Sequence, residues 1–223
     1  MESPEKIQGR QRARQLAQEY QQRNDPTGWF DAVYKQANGN TEGVPWADMT
    51  VNPLFAEWLQ KNHPNGQGKK ALVVGCGLGD DAEALARQGF AVTAFDISPR
   101  AIAWCQQRFP DSTVNYQVAN LFSAPPEWQK QFDFVLESYT LQALPEDIRQ
   151  KAIGYIGQFV APQGNLLIIC RGRDAFEDKG SMPWPLTKEE MATFQREGLE
   201  EVEFEDFHDR QGVRRFRILY LGK

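Results

Sequence analysis

Three glycines and one acid carry the clearest chemical signal in the chain. Gly75, Gly77 and Gly79 punctuate the stretch VVGCGLG between a short apolar run and a helix-like stretch. Asp96 ends the next apolar run, AVTAFD, about twenty residues further on. Glycine permits positive φ angles and lets a ligand approach the main chain closely. A carboxylate at the end of a second strand accepts both hydroxyls of a ribose. Together they predict a nucleoside-containing ligand beyond the carboxyl ends of the strands of an open α/β sheet. The neighbouring residues separate three ligand classes. The phosphate-binding pattern G-x-x-x-x-G-K-[ST] is absent. A dinucleotide site wants Gly or Ala where Asp80 stands, so that a pyrophosphate can sit on the helix N-terminus. Asp80 and Asp81 favour the helix dipole there and repel phosphate. A cationic nucleoside without phosphate suits these residues best, and S-adenosylmethionine is such a molecule.

In combination the motifs resemble those of class I S-adenosylmethionine-dependent methyltransferases over residues 71–170. VVGCGLG resembles their first motif and AFDIS the second. VANLF (118–122) is similar to the segment beside adenine, and FDFVLESYTLQAL to the fourth-strand motif that leads into the active site. Within that group the closer resemblance is to the thiopurine, thiol and halide methyltransferase branch, whose first motif reads like L-V-P-G-C-G-x-G-x-D. Val73, standing where other members have an acid, fits that variant, as do Cys76 and Asp81. VPWADMTVNP resembles the branch's proline–tryptophan loop, and SMPWPLTKEEM its proline-rich loop before a helix.

The resemblance implies S-adenosyl-L-methionine as cofactor, S-adenosyl-L-homocysteine as product, and a small-molecule methyl acceptor. Gly75, Cys76 and Gly77 are expected at the methionine end and Asp96 at the ribose. Ile97 is expected beside adenine, with Asn120 and Leu121 on its rim. Glu137 and Ser138 end the fourth strand, where groups face the methionine and the acceptor; a plain strand-end acid is the other reading of Glu137. Trp46 and Trp29 are candidates to cover the sulfonium, since an aromatic face attracts a cation; core packing is the alternative for each. Tyr34, Tyr139 and Trp184 are candidate acceptor contacts, and Tyr139 with Glu137 the candidate acid–base pair. No metal site is expected, because Cys76, Cys105 and Cys170 lack ligand spacing.

Transfer of a sulfonium methyl is a direct displacement, so catalysis comes chiefly from holding the nucleophile in line. An alcohol or amine needs a base more than a thiol does, whose pKa of roughly 8.5 already leaves some thiolate at neutral pH. His63 falls in a polar loop and His208 at a hairpin turn, so neither is an evident base. The expected acceptor is a thiol or other soft nucleophile. N- or O-methylation of a small amine or carboxylate metabolite, and a non-catalytic S-adenosylmethionine-binding module, are the alternatives.

Alternating strands and helices must position these residues. Strands are predicted at ALVVG, AVTAFD, TVNYQVA, FDFVLE and NLLIIC, the last after a break at APQG. Helices are predicted over 80–88, after the cap Ser98-Pro99, and over 146–160. LEEVEFEDF and VRRFRILYL then form a terminal antiparallel hairpin. The fold expected is α/β, Rossmann-like, with a seven-stranded, mostly parallel sheet in the order 3-2-1-4-5-7-6. Residues 1–70, with short helices near 5–22, 27–37 and 52–61, are expected to form a helical lid on a 71–223 core, all one domain.

At 223 residues the chain matches one sizeable domain. A net charge of −5 argues against a nucleic-acid groove, which needs clustered Lys and Arg. The longest apolar runs fall short of the roughly 20 residues of a membrane span. With no apolar leader and an odd, scattered set of three cysteines, the expectation is a soluble cytoplasmic protein, a monomer or weak homodimer.

Overall fold

The computed structural model describes residues 3–223. Helix α1 (Pro4–Gln22) begins where the Ser3 hydroxyl accepts the Lys6 N–H, with Pro4 opening the first turn. It is polar nearly all round and buries only Gly9, Ala13 and Leu16. These lie three and four residues apart on one stripe, which packs against α2 (Gly28–Ala37). Helix α3 (Pro53–Asn62) is capped by the Asn52 side chain, which accepts the Leu54 N–H.

Strand β1 (Lys70–Val74) is followed by α4 (Asp80–Arg87), β2 (Ala91–Asp96), α5 (Pro99–Arg108) and β3 (Asn115–Val118). Then come β4 (Phe132–Ser138), α6 (Glu146–Phe159), β5 (Val160–Arg171), and the short α7 (Lys188–Met191) and α8 (Thr193–Arg196). The chain ends in β6 (Leu199–His208) and β7 (Arg214–Gly222). The sheet runs β3-β2-β1-β4-β5-β7-β6, as expected from the sequence. The first five strands pair in parallel, and β7 is antiparallel to both neighbours.

Alternation along the strands divides the core into two layers. Leu72, Val74, Val135, Ile168 and Ile218 face α6 and α8. Ala71, Val73, Ala94, Leu136 and Ile169 face α3 and α4. Val73 therefore occupies a dry position beneath helices, where an unpaired carboxylate would cost several kcal/mol.

Three boundaries differ from expectation. Helix α3 is not part of the cover: Leu54, Phe55, Trp58 and Leu59 pack under the sheet beside Phe134. The cluster formed with Leu78, Ala101 and Met182 draws instead on Ala13 and Leu16 of α1, Trp29, Val33 and Tyr34 of α2, and Val44 and Ala47 after it. APQG is not a break between elements: β5 begins at Val160 and runs through it, with Gln163 at φ 62° and a register shift opposite Phe132 and Phe134. A bulge lets the chain bend while keeping the ladder. The hairpin turn starts one residue later than expected, because His208 stays in β6 and Asp209 caps the turn. Its Oδ1 accepts from the N–H groups of Gln211 and Val213.

Candidate functional site

The glycine turn leaves β1 with Gly75 at φ 60° and Gly77 at φ 56°, angles that L side chains rarely adopt. A Cβ on Gly75 would also lie 2.4 Å from the Thr140 hydroxyl oxygen, so the loop after β4 packs directly on bare backbone. Asp96 at the end of β2 braces the turn. Its Oδ2 accepts the Gly77 N–H at 3.1 Å and its Oδ1 accepts the Ser98 N–H at 2.9 Å. Burial pushes the Asp96 carboxyl up to about 6, against the opposing effect of those two N–H groups. Asp31 of α2 adds to the rise and is itself held by the Ser98 hydroxyl at 2.7 Å and by Arg100.

Asp80 and Asp81 do not present two free charges to the cleft. Arg108, on α5, donates to both Asp80 oxygens at 2.8 Å. Asp81 accepts the Asn52 N–H at 2.8 Å, and burial pushes its carboxyl up to about 6. The repulsion of phosphate expected from the sequence is thus largely neutralised by residues elsewhere in the chain.

Aromatic rings from residues 28–46 roof the turn. Trp29 stacks on Phe30 at 3.9 Å between centroids, and Trp46 meets Trp29 edge-on at 5.9 Å. The Trp46 indole N–H donates to the Tyr34 hydroxyl at 2.7 Å. Both sit against Gly77, where a built Cβ would lie 3.7 Å from the Tyr34 oxygen and 3.8 Å from Trp46. Trp29 and Tyr34 are buried, yet all three line the cleft, so packing and cofactor contact are compatible.

The cleft is about 1990 Å³, against roughly 300–1,000 Å³ for a typical small-ligand pocket, which leaves room for two ligands side by side. Gly75, Cys76, Gly77, Asp96, Ile97, Asn120 and Leu121 all line one end of it. Asn120 also accepts the Phe122 N–H, fixing the short turn that follows β3. Cys76 lies beside Cys105, whose thiol donates to the Gly77 carbonyl. The neighbouring sulfur and burial together push the Cys76 thiol well up, leaving it inert as a nucleophile.

Ser138 and Tyr139, at the end of β4, line the cleft as well. The Ser138 hydroxyl accepts from the Asn52 side-chain amide at 2.9 Å. Tyr139 takes φ 67° and lies under the Arg215 guanidinium, 5.1 Å from the ring centre. Burial raises its hydroxyl pKa despite that charge. Glu137 departs from expectation. It is fully buried on the α6 face of β4 and does not line the cleft. Its Oε1 accepts the N–H groups of Thr140 and Leu141 at 2.7 and 2.9 Å, so it shapes the loop after β4. Trp184 also misses the cleft. Its N–H donates to the Gln142 carbonyl, and Met182 and Pro183 form the wall in its place. His63 and His208 are exposed, His208 on the cleft rim.

Sequence reasoning passed over Asn52, Thr140, Arg171 and Arg215, all of which line the cleft. Asn52 had a local signal, as the residue before Pro53 at a helix start. The others are joined by tertiary pairing alone.

The cradle of bare backbone at Gly75 and Gly77, with the buried Asp96 carboxyl beside it, has the chemistry to fit S-adenosylmethionine. The chain is 36% identical over 98 residues to the ubiquinone biosynthesis O-methyltransferase of Azotobacter vinelandii, covering 43% of this chain and 42% of the relative. The chain thus matches under half the length of that curated relative. The fold is similar to the Burkholderia thailandensis 1,6-didemethyltoxoflavin-N1-methyltransferase with bound S-adenosylhomocysteine: TM-score 0.66, 18% identity, 86% of this chain and 84% of that one. It is also similar to the N-methyltransferase NodS of Bradyrhizobium japonicum with S-adenosylhomocysteine: TM-score 0.65, 20% identity, 86% and 97% covered. The sequence model of the thiopurine S-methyltransferase family matches residues 35–217. The chain belongs to the thiopurine S-methyltransferase family and, with it, to the S-adenosylmethionine-dependent methyltransferases.

Proposed function

We propose that the protein methylates a thiol or comparably soft nucleophile on a small molecule. One observation carries the reading: the carboxylate best placed in sequence to act as base, Glu137, is spent on the backbone of Thr140 and Leu141. Tyr139 is held protonated by burial, and His208 stands at the exposed rim. An acceptor that reaches this site must supply its own lone pair, and a thiol does so near neutral pH. The family match supports the same acceptor class.

The bound cofactor supplies an electrophilic methyl on a sulfonium. The residues do the positioning. Asp96 would take the ribose hydroxyls, Ile97, Asn120 and Leu121 would flank adenine, and Gly75 and Gly77 would offer backbone to the methionine end. Trp46 and Tyr34 close over that end and shut out water. Ser138 and Tyr139 floor the acceptor end. A thiol held beside Ser138 and Tyr139 would receive that methyl by direct displacement, and its own proton would pass to solvent, since no side chain there is placed to take it. Residues 3–52 serve as the cover that completes this enclosure. The three free thiols, Cys76, Cys105 and Cys170, suit a reducing cytoplasm.

Incubation with methyl-labelled cofactor and a panel of small thiols, amines and carboxylates, read by mass spectrometry, tests the reading. Thioethers and S-adenosylhomocysteine in equal amounts are expected. Labelled N-methyl or O-methyl products alone would overturn it.

A further inference from the structure

Arginines gather at the acceptor end of the cleft, and methyl transfer itself has no use for them. Arg171 ends β5, and Arg215 stands opposite it in register on β7. Opposed residues on antiparallel strands lie about 4.5–5.5 Å apart at Cα and point to the same face. Both side chains therefore leave the sheet at its carboxyl edge on the Leu167 and Ile169 side, next to Tyr139. Arg10 and Arg14 reach the same end of the cleft from α1. Burial, then the charges of Arg215, Arg10 and Arg14, push the Arg171 guanidinium below its ordinary pKa, which places all four within electrostatic reach of one another.

The hydrogen-bond partners of Arg14, Arg171 and Arg215 include a single carboxylate among the described residues. Arg215 donates to Asp209 at 2.8 Å, and Arg14 to the Met182 carbonyl at 2.8 Å. Arg171 reaches the Pro183 carbonyl at 3.5 Å, and its Nε is buried with no hydrogen-bond partner. Among the described residues no carboxylate hydrogen-bonds to Arg14 or Arg171. Two guanidiniums side by side with one orphaned N–H are a costly arrangement for an empty pocket and a good one for an oxyanion, which accepts several N–H bonds at once.

We propose that Arg171 and Arg215, with Arg14 nearby, bind an oxyanion of the methyl acceptor, so that the preferred substrate is an anionic soft nucleophile of the carboxylate or sulfonate type. The inference rests on the acceptor occupying the Ser138–Tyr139 end of the cleft. With the oxyanion on Arg171 and Tyr139 as floor, the nucleophilic atom is directed along the strand ends toward Gly75 and Gly77. The arginines are positioning and specificity residues, since none touches the reacting atoms.

The test uses the full chain and two matched thiols, 3-mercaptopropionate and 3-mercaptopropionamide, with 2-mercaptoethanesulfonate as the sulfonate arm. The anionic thiols are expected to exceed the amide in kcat/KM by about tenfold or more, chiefly through KM, as hydrogen bonds to charged groups predict. Arg171→Gln should remove that preference while leaving affinity for S-adenosylhomocysteine within about twofold, and Arg171→Lys should restore part of it. Calorimetry with 3-(methylthio)propionate on the protein saturated with S-adenosylhomocysteine gives a readout independent of turnover. Binding that depends on Arg171, with no methylation of any thiol, would uphold the anion site and dismiss the thiol reading. Equal use and equal binding of the amide would overturn the proposal. So would a parallel loss of S-adenosylhomocysteine affinity in Arg171→Gln, which would assign the cluster to the cofactor's own carboxylate.

Discussion

The indole N–H of Trp46 donates to the hydroxyl of Tyr34 at 2.7 Å, directly above the bare backbone of Gly77. The bond fixes the ring that lies over the glycine turn. Tyr34→Phe keeps the packing and deletes the acceptor. A loss of about 1 kcal/mol in stability is expected, with S-adenosylhomocysteine binding about fivefold weaker. Urea denaturation and calorimetry measure the two effects. Unchanged affinity would mean that Trp46 does not cover the ligand.

Asp96 should make cofactor affinity depend on pH. Its carboxyl sits at about 6 in the free protein because burial disfavours the charge. A ribose hydroxyl donates best to the ionised form, so binding must expel a proton below that value. Affinity should fall by up to about tenfold per pH unit below 6 and level off above 7. Asp96→Asn should bind about 10- to 100-fold more weakly at pH 7.5 and lose most of the pH dependence. A flat wild-type profile from pH 5 to 7.5 would remove Asp96 from the ribose site.

Glu137 gives a prediction of opposite kind. Burial raises its carboxyl to about 7, and its Oε2 has no hydrogen-bond partner. A carboxyl whose folded pKa lies above its unfolded value binds more protons when folded. Its stabilising contribution is therefore full below about pH 4 and drains away as pH rises through 7. Relative to wild type, Glu137→Gln should gain about 2–3 kcal/mol of stability between pH 5 and 8. Turnover should stay within a fewfold. A loss of several hundredfold in kcat at constant stability would make Glu137 the base after all.

Arg108 and Asp80 form the ion pair that quiets the helix start beside the glycine turn. Both are half-buried, so the pair is worth more than a surface bridge and less than a buried one. Arg108→Met should cost about 1–2 kcal/mol, and Asp80→Asn less. In the double variant the two losses should fall short of adding by about 0.5–1 kcal/mol. Full additivity in denaturation midpoints would show that the charges do not couple.

The glycine turn, Asp96 and the strand order were legible because each rests on a local pattern: positive φ at Gly75, a strand that ends in an acid, periodic apolar runs. Glu137 was misread for a reason the sequence does contain. Strand alternation puts it on the face of Val135, toward α6, so that the cleft receives Ser138. Trp184 drew attention as the aromatic held between Pro183 and Pro185, while its neighbours Met182 and Pro183 reach the wall. Helix α3 looked like cover because it precedes β1, and only packing on Phe134 reveals it as core. Arg108 opposite Asp80 and Arg171 opposite Arg215 were beyond reach, since each pair is joined by tertiary contact between distant segments.

Asn52 ties three of these segments together: its N–H goes to Asp81 beside the cofactor turn, its side-chain amide to Ser138 at the acceptor floor, and its carbonyl side-chain oxygen to the start of α3. It works as a gauge block: one short side chain, anchored at the start of a core helix, sets the spacing between the first turn of α4 and the end of β4.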